Sequence, residues 1–501
     1  MHGEFDTIQH VLISIDRIKG SDLNNWPSNP LIYEINTPVW LNELSQRQKR
    51  DVTLGTVPPE AWNELAGAGF DAVWFMGVWQ RSPEGVRISN GHEGLRQEFF
   101  KALPDFSRVD NLGSAYSIRS YEVDERWGGR SGLAEARRQL ASRGLRLLLD
   151  YVPNHVARDH DWVLDHPEYF ISASRKELMN DPREYFESAG RVIACGKDPN
   201  FPAWEDVAQV NAFNPGFRMA ARATVLDIAG QCDGVRCDMA MLLLDRIFST
   251  TWGGKDGQAL PTPFWKEVTG AVKRQFPDFL FIAEAYWGTE PELVKEGFSY
   301  CYDKEFYDRL KQGDSRGVAE SLIQAGPHPR TVRFIENHDE ARAAVAFPQE
   351  RAKAAAFILA TIPGARLFHQ GQLEGRTLRL PVFLHRWGVE MPDKKLLDFY
   401  RGLLRFIQTP SLKTGEWEFL GSTQEPCLAW TWKNKAEWIV AVVNYSASPA
   451  ERVLDIPFEC RLAADGFSSP GSTIEVHPDG KSALKVKMPG WGYTLARLHP
   501  V

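Results

Sequence analysis

The chain has 501 residues, more than one hydrophobic core usually serves, so one large domain with an insertion and an appended module is expected. Its 58 basic and 65 acidic residues give a formal net charge of −7, and no lysine or arginine block stands out, which excludes a nucleic-acid binder. No basic region followed by an apolar run opens the chain, no 18 apolar residues occur in succession, and the six cysteines form no CxxC pair; the expectation is a cytoplasmic protein with reduced thiols, no membrane span and no zinc site.

After an N-terminal segment, 1–29, come eight short apolar runs bounded by turn residues. They are "LIYEINTPVWL" (31–41), "FDAVWFMGVW" (70–79), "GLRLLLDYVPNH" (144–155), "CDGVRCDMA" (232–240), "FLFIAEAYW" (279–287), "FSYCYDKEF" (298–306), "TVRFIENHD" (331–339) and "ARLFHQGQ" (365–372). Near-continuous apolar runs predict parallel strands covered on both faces. Amphipathic stretches lie between several of them; in "SGLAEARRQLASRG" (131–144), Ser131 is placed to cap the N-terminus and Gly144 the C-terminus. Eight alternations of strand and helix predict an α/β fold, a closed (β/α)8 TIM barrel. An open doubly wound sheet would call for a GxGxxG turn after an early strand, and none is present.

Between the third and fourth runs lies far more chain than one helix needs, rich in Asp, Pro, Asn and aromatics. It predicts an irregular insertion over 156–210, so that the barrel comprises 30–155 and 211–404. From 405 to 501 the pattern changes to period-two strands, as in "EWIVAVVNYSASPAERVLDI" (437–456), and predicts a C-terminal antiparallel β-sandwich. The long stretch 80–112 falls on the side of the barrel where strands end.

In such barrels the working side chains sit at the C-terminal ends of strands. Those ends carry Asp150, Asn154 and His155 on the third run, Arg236 and Asp238 on the fourth, Glu284 on the fifth, and His338 and Asp339 on the seventh. Carboxylates from three strands suit cleavage of a glycosidic bond, which needs a nucleophile, a protonated acid and an anion near the oxocarbenium-like transition state. Arg236 and Asp238 are two apart on a strand and share a face, so the guanidinium is expected to hold Asp238 anionic, the better nucleophile. Glu284 has apolar neighbours that would raise its pKa, as an acid/base requires, and Asp339 takes the stabilising role. Beyond Asp238 the chain is expected to run into an apolar helix.

The segments "DYVPNH", "GVRCDMA", "FIAEAYW" and "FIENHD" resemble, in order, the four short regions of the α-amylase family, glycoside hydrolase family 13. "GSAYSIRSYEVDERWGG" (113–129) is similar to its second-strand loop and "PGARLFHQGQ" (363–372) to its eighth strand. The resemblance covers roughly 30–400, with the insertion matching that family's domain B and the tail its domain C. It implies Asp238 as nucleophile, Glu284 as general acid/base and Asp339 as transition-state stabiliser. It further implies that Arg236 bonds Asp238, that His155 and His338 bond sugar hydroxyls, that Tyr116 stacks under the sugar, that Arg342 lines the pocket and that Asp150 supports the site. The residue matching Asn154 binds calcium in many members. No cofactor is otherwise implied, and the Asp-rich calcium loop of some relatives is absent from "NTPVWLNELSQ" (36–46).

Two departures bear on substrate. Met241 and Leu242 stand where endo-acting relatives carry a Lys-His pair, a feature closer to exo-acting, oligosaccharide-active members, whereas Gly113 stands where many exo-glucosidases have an Asp. The resemblance therefore implies a retaining α-glycosidase acting on oligosaccharides or α-glucans through a glycosyl-Asp238 intermediate. The alternative is a transglycosylase or isomerase, for example a trehalose-forming one, using the same intermediate. A non-catalytic carbohydrate-binding or transporter-associated relative would be expected to lack one of the three carboxylates, and all three are present. Nothing in the sequence assigns an oligomeric state.

Overall fold

The computed structural model of the chain describes residues 25–255, 257–421, 426–476 and 482–500; the predicted N-terminal segment lies outside these up to residue 24. Eight parallel strands close into a barrel: β1 (Leu31–Asn36), β2 (Ala72–Met76), β3 (Arg146–Tyr151), β4 (Gly234–Cys237), β5 (Leu280–Ala283), β6 (Tyr300–Tyr302), β7 (Thr331–Arg333) and β8 (Ala365–His369). Each falls within one of the eight apolar runs. Every residue of β1, β2, β4, β5, β6 and β8 is buried, as strands covered on both faces require. A charge in such a strand therefore has no solvent side to turn to.

The register around β4 places the central cation. Gly234 pairs with Leu148 and Leu280, and Arg236 with Asp150 and Ile282. A Cβ at position 234 would lie 2.6 Å from the Leu280 carbonyl oxygen, so glycine is what lets β4 seat between its neighbours.

Three local expectations are corrected. The helix predicted from Ser131 spans Gly129–Ala141 and is capped by Gly128, whose φ of 99° turns the chain out of the preceding 3-10 turn. The Ser131 hydroxyl instead donates to the Gly128 carbonyl from inside the first turn. The apolar stretch after Asp238 is a 3-10 turn, Ala240–Leu243, and the helix proper starts at Asp245. At the other end of the barrel, position 405 falls inside a helix, Lys394–Phe406, and the first C-terminal strand starts at Glu416. Leu396, Phe399, Tyr400 and Leu403 bury one face of that helix, which extends the α-helical pattern beyond the expected boundary.

Between β3 and β4 an antiparallel sheet is built from His155–Ala157, Trp204–Gln209, Arg191–Gly196 and Ser172–Ala173, with Tyr185–Ser188 also paired to Arg191–Gly196. The stretch 80–112 contains two helices, Pro83–Gly91 and Glu93–Ala102. Phe99, Ala102 and Leu103 pack with Val39, Leu380 and Leu384, which ties these helices to the helix after β1, Thr37–Gln48, and to the loop after β8.

The C-terminal region is two antiparallel sheets, one of five strands and one of three. Alternation on Cys427–Lys433 sorts its side chains. Cys427 and Ala429 face a core shared with Leu454, Leu484 and Val486 of the smaller sheet, while Leu428, Trp430 and Trp432 join the barrel core. Both indole N–H groups, of Trp430 and Trp432, donate to the Thr361 carbonyl at 2.9 and 2.6 Å and fix the sheets to the barrel wall.

Candidate active site

The site is organised round Arg236, which is fully buried in the barrel axis. Its Nη1 lies 2.7 Å from Asp238 Oδ1 and 3.8 Å from Asp150 Oδ1, and its Nη2 lies 2.8 Å from Glu284 Oε2. The rings of Tyr116, Trp74 and Tyr302 stand 5.2 to 5.6 Å from the guanidinium carbon and give the cation further stabilisation. Asp238 and Glu284 each follow directly on a barrel strand, so rigid backbone holds both. Glu284 is pinned further by the Met239 N–H to Oε2 at 2.6 Å and the Tyr286 hydroxyl to Oε1 at 2.7 Å. Met239 reaches that position with a φ of 43°, a left-handed conformation that a side chain disfavours and that clusters at functional sites.

Because Arg236 is divided among three carboxyl groups, it does not hold Asp238 below the ordinary range. Burial pushes the Asp238 carboxyl up, with Arg236 opposing. Burial also pushes Glu284 up to about 7, again against Arg236 and helped by the charges of Asp238 and Asp339. Asp150 is pushed up to about 7 by the same cause, and neither of its oxygens has a well-formed hydrogen bond.

Asp339 behaves in the opposite way. Burial would raise it, but the contact with His338 prevails and holds it at about 2. Half of its side chain meets solvent at the mouth. His338 is wholly enclosed: Nδ1 lies 2.5 Å from Glu34 Oε1, and Nε2 lies 2.7 Å from the Tyr116 hydroxyl and 3.0 Å from Asp339 Oδ2. Burial alone would lower its pKa, but the flanking carboxylates Asp339 and Glu34 raise it well above the usual value, so it is an imidazolium. Tyr116 stacks on the His338 ring at 5.3 Å. His155, by contrast, is pushed down to about 3 by burial and is neutral; its ring lies 5.1 Å from that of Trp204.

Two expected binding residues have other partners. The Arg342 guanidinium is buried and bonds Glu336 Oε1 at 2.5 Å, His369 Nδ1 at 2.6 Å and the Gln370 carbonyl at 2.9 Å, which makes it a strut between the loops after β7 and β8, and the residue lines a cavity together with Asp339. Asn154 Oδ1 accepts from the Gln209 amide at 3.0 Å, and Asn154 Nδ2 donates back to Gln209 Oε1 at 3.2 Å. With that oxygen already taken by a donor, and no group of three or more His, Cys, Asp or Glu side chains placed to hold a metal among the described residues, the surroundings of Asn154 do not fit a calcium ion.

Residues 64–214 match the family model described as the alpha amylase catalytic domain. Over that stretch the chain is similar to the α-amylase family. Over 366 residues it is 26% identical to the alpha-amylase MalA of Haloarcula japonica, covering 71% of this chain and 45% of that protein. Over 326 residues it is 22% identical to the trehalose synthase/amylase TreS of Mycobacterium tuberculosis, covering 57% of this chain and 47% of TreS. The chain thus spans about half the length of these curated relatives. Among solved structures, the noncanonic maltogenic alpha-amylase AmyB of Thermotoga neapolitana superposes with a TM-score of 0.65 at 20% identity, over 94% of this chain and 98% of that one. The Geobacillus thermoleovorans alpha-amylase complexed with acarbose gives 0.67 at 18% identity, with the same coverage. These likenesses are of fold.

Several residues of this site are not evident from strand ends alone: Glu34, Trp74, Tyr286, Gln209 and Trp204. Glu34 did carry a signal, since "LIYEIN" sets a carboxylate in an otherwise apolar buried strand, the same anomaly that marks Arg236 in "GVRC". Trp204 and Gln209 come from the insertion, whose irregular pattern gives no periodicity from which to place them.

Proposed function

We propose that the chain is a retaining α-glycosidase that cleaves α-glucosidic bonds in oligosaccharides or α-glucans. The observation that carries this is the shared guanidinium: Nη1 of Arg236 holds Asp238 and Nη2 holds Glu284. Two carboxyl groups on one fork stand close together, which supports the ~5 Å separation of retaining enzymes. Arg236 occupies Asp238 Oδ1, leaving Oδ2 to attack the anomeric carbon. Glu284, at about 7, still carries a proton at neutral pH and gives it to the departing glycosidic oxygen. Asp339, ionised down to about pH 2, faces the positive charge that develops on the sugar ring. In the second half-reaction the ionised Glu284 takes a proton from water, whose oxygen displaces Asp238 from the sugar.

No step needs a cofactor or metal. Met241 and Leu242 are fully buried and offer a sugar no polar contact beyond the nucleophile, which supports an oligosaccharide substrate over a long glucan. The names of similar proteins, a maltogenic amylase and a cyclomaltodextrinase among them, fit that substrate class. All six thiols are buried and none forms a disulfide among the described residues, which accords with a cytoplasmic enzyme; no described helix is long and apolar enough to cross a membrane. Transfer to a sugar acceptor is the second reading. It draws on the low exposure of the Asp238 and Glu284 side chains, 9% and 4%, which restricts water at the intermediate, and on the likeness to TreS.

Asp238→Asn is expected to lower kcat on an aryl α-glucoside by about 10⁴-fold or more; intact turnover would refute the mechanism. Products longer than the substrate from maltooligosaccharides would favour transfer, and only shorter ones hydrolysis.

A further inference from the structure

The backbone of Glu284 is held on both sides, its N–H donating to the Cys237 carbonyl at 3.0 Å and its carbonyl accepting from the Ala240 N–H at 3.1 Å. From that fixed base the two carboxyl oxygens meet different neighbours. Oε2 accepts the Met239 N–H at 2.6 Å and lies 2.8 Å from Arg236 Nη2. Neither nitrogen can accept a proton, so a proton on Oε2 would face two other hydrogens. Oε1 meets the Tyr286 hydroxyl at 2.7 Å, a group that rotates and can either donate or accept.

The chain after β5 is bent sharply next to that hydroxyl. Trp287 and Gly288 follow Tyr286 with φ of 61° and 69°, and the first of these is a conformation that a bulky side chain disfavours. Thr289, fully buried, closes the turn: its hydroxyl donates to the Tyr286 carbonyl at 2.7 Å, and its N–H reaches the same oxygen at 3.3 Å. Strain of this kind persists where the surroundings enforce it, and here it fixes the residue that faces the acid. Burial pushes the Tyr286 phenol well above its ordinary value, helped by the carboxylates of Glu284 and Asp339 and opposed by Arg236. The phenol therefore keeps its own proton and is no competing base.

We propose that Tyr286 is a positioning residue for the acid/base: its hydroxyl reserves Oε1 of Glu284 as the oxygen that carries the transferred proton, accepting from it while the carboxyl is protonated and donating to it once the carboxyl is ionised. The inference rests on the glycosidase reading. In the first half-reaction the proton leaves Oε1 for the glycosidic oxygen, which departs with the electron pair of its bond to the anomeric carbon, while Asp238 Oδ2 forms the new bond to that carbon. The hydroxyl then turns to donate to Oε1, so the charge left on Glu284 gains a hydrogen bond as it appears. In the second half-reaction the proton taken from water returns to Oε1 and the hydroxyl turns back. The other charged groups that face Glu284 are Arg236 and Asp238 at the end of β4 and Asp339 beyond β7. None of them can both donate to Oε1 and accept from it in this way; only the hydroxyl reverses its role with the proton.

The test is Tyr286→Phe in the full chain, which keeps the ring and removes only the hydroxyl. A hydrogen bond to the ionised carboxyl favours that form, so its loss is expected to move the alkaline limb of kcat/KM up by about one pH unit. The ratio of kcat/KM for maltose to that for a dinitrophenyl α-glucoside is expected to fall about tenfold, because only the poor leaving group needs the proton. A loss shared equally by both substrates, with the limb unmoved, is what a purely structural tyrosine would give and overturns the proposal while leaving the glycosidase reading standing. A second measurement needs no turnover: the infrared band of the protonated Glu284 carboxyl, identified by its absence from Glu284→Gln, is expected to titrate about one pH unit higher in Tyr286→Phe than in the wild type. Equal midpoints overturn the proposal, whereas a shifted midpoint in a chain whose wild type cleaves neither substrate would overturn the glycosidase reading alone.

Discussion

Arg236 and Arg342 are both wholly buried, both sit among carboxylates and histidines at the C-terminal end of the barrel, and differ in what they leave unbonded. Round Arg342 the acceptors are used up: Glu336 Oε1 and His369 Nδ1 both take the Arg342 guanidinium, and Glu336 Oε2 takes the Ala343 N–H at 2.7 Å. Round Arg236 three carboxyl groups share one cation, Asp150 has no well-formed hydrogen bond, and burial drives both Asp150 and Glu284 to about 7. A buried cluster whose acceptors are all satisfied holds two loops together. One in which Asp150 Oδ1 and Oδ2 and Arg236 Nε and Nη2 are left without well-formed hydrogen bonds holds its carboxyl groups near their protonation boundary, where proton transfer at neutral pH becomes available.

The largest effect that would break this contrast belongs to Glu284. Glu284→Gln is expected to lower kcat by about 10²- to 10⁴-fold on a poor leaving group and much less on an activated aryl glycoside. In the wild type the acid must carry its proton to work, so kcat should be full below pH 7 and fall as pH rises through about 7, and the variant should lose that alkaline limb. A limb that persists in the variant would assign it to another group.

Arg342 gives the complementary outcome. Removing one partner from a satisfied buried pair strands the other, so Arg342→Met is expected to cost about 3–5 kcal/mol of stability, read as a fall in Tm or in the denaturant midpoint. The kcat of the folded fraction should stay within a few-fold of wild type. A large rise in KM at unchanged Tm would return Arg342 to the binding surface that its sequence position implies.

These two arginines also mark where sequence reasoning succeeds and stops. Arg236 is legible because a strand reading "GVRC" leaves no polar face for it, and a barrel brings strand ends together whatever the loops do. The eight strands were legible for the same reason, each an apolar run with nothing to alternate against. Arg342 lies in an irregular loop, and its partners Glu336 and His369 are 6 and 27 residues away, a pairing that only tertiary structure creates. Gly128, not Ser131, starts the helix that follows because backbone conformation at a left-handed glycine outweighs the side-chain preference for capping. The pairing of Gln209 with Asn154 was hidden for a different reason: the two come together only through the irregular sheet of the insertion.

Glu34 stands between the two clusters. Its Oε1 holds His338, while Oε2 is buried without a partner. Glu34→Gln removes a charge-assisted hydrogen bond and is expected to cost about 1.5–3 kcal/mol. The sign of its pH dependence separates charge from shape. His338 is more basic folded than unfolded, so its contribution to stability is complete below its ordinary unfolded pKa and is lost as pH rises through the raised folded value. The wild type should therefore lose stability towards alkaline pH in that window, and Glu34→Gln should flatten the slope, measured by denaturant midpoints across pH. An unchanged slope would place the proton elsewhere in the Glu34, His338, Asp339 chain.

The smallest effect sharpens the comparison most, because Gln209 and Asn154 satisfy a junction between the insertion and β3 with neutral groups where a cation could have done so. Gln209 donates to Asn154 Oδ1, to the Asn154 carbonyl and to the Val210 carbonyl at 3.0, 2.9 and 3.1 Å, and its own oxygen accepts from Asn154. A divalent ion would need those same oxygens turned inward, and each is already facing an N–H. Chelator should therefore leave Tm unchanged, and Gln209→Ala should lower it by an amount equivalent to about 1–3 kcal/mol, the cost of leaving buried acceptors unmet. Gln209→Glu puts a carboxylate in place of the amide, removes the donor to three oxygens and is expected to destabilise in chelator and to regain stability on addition of calcium. If the wild type itself loses Tm in chelator, the junction is held by an ion and the amide pair is not its strut.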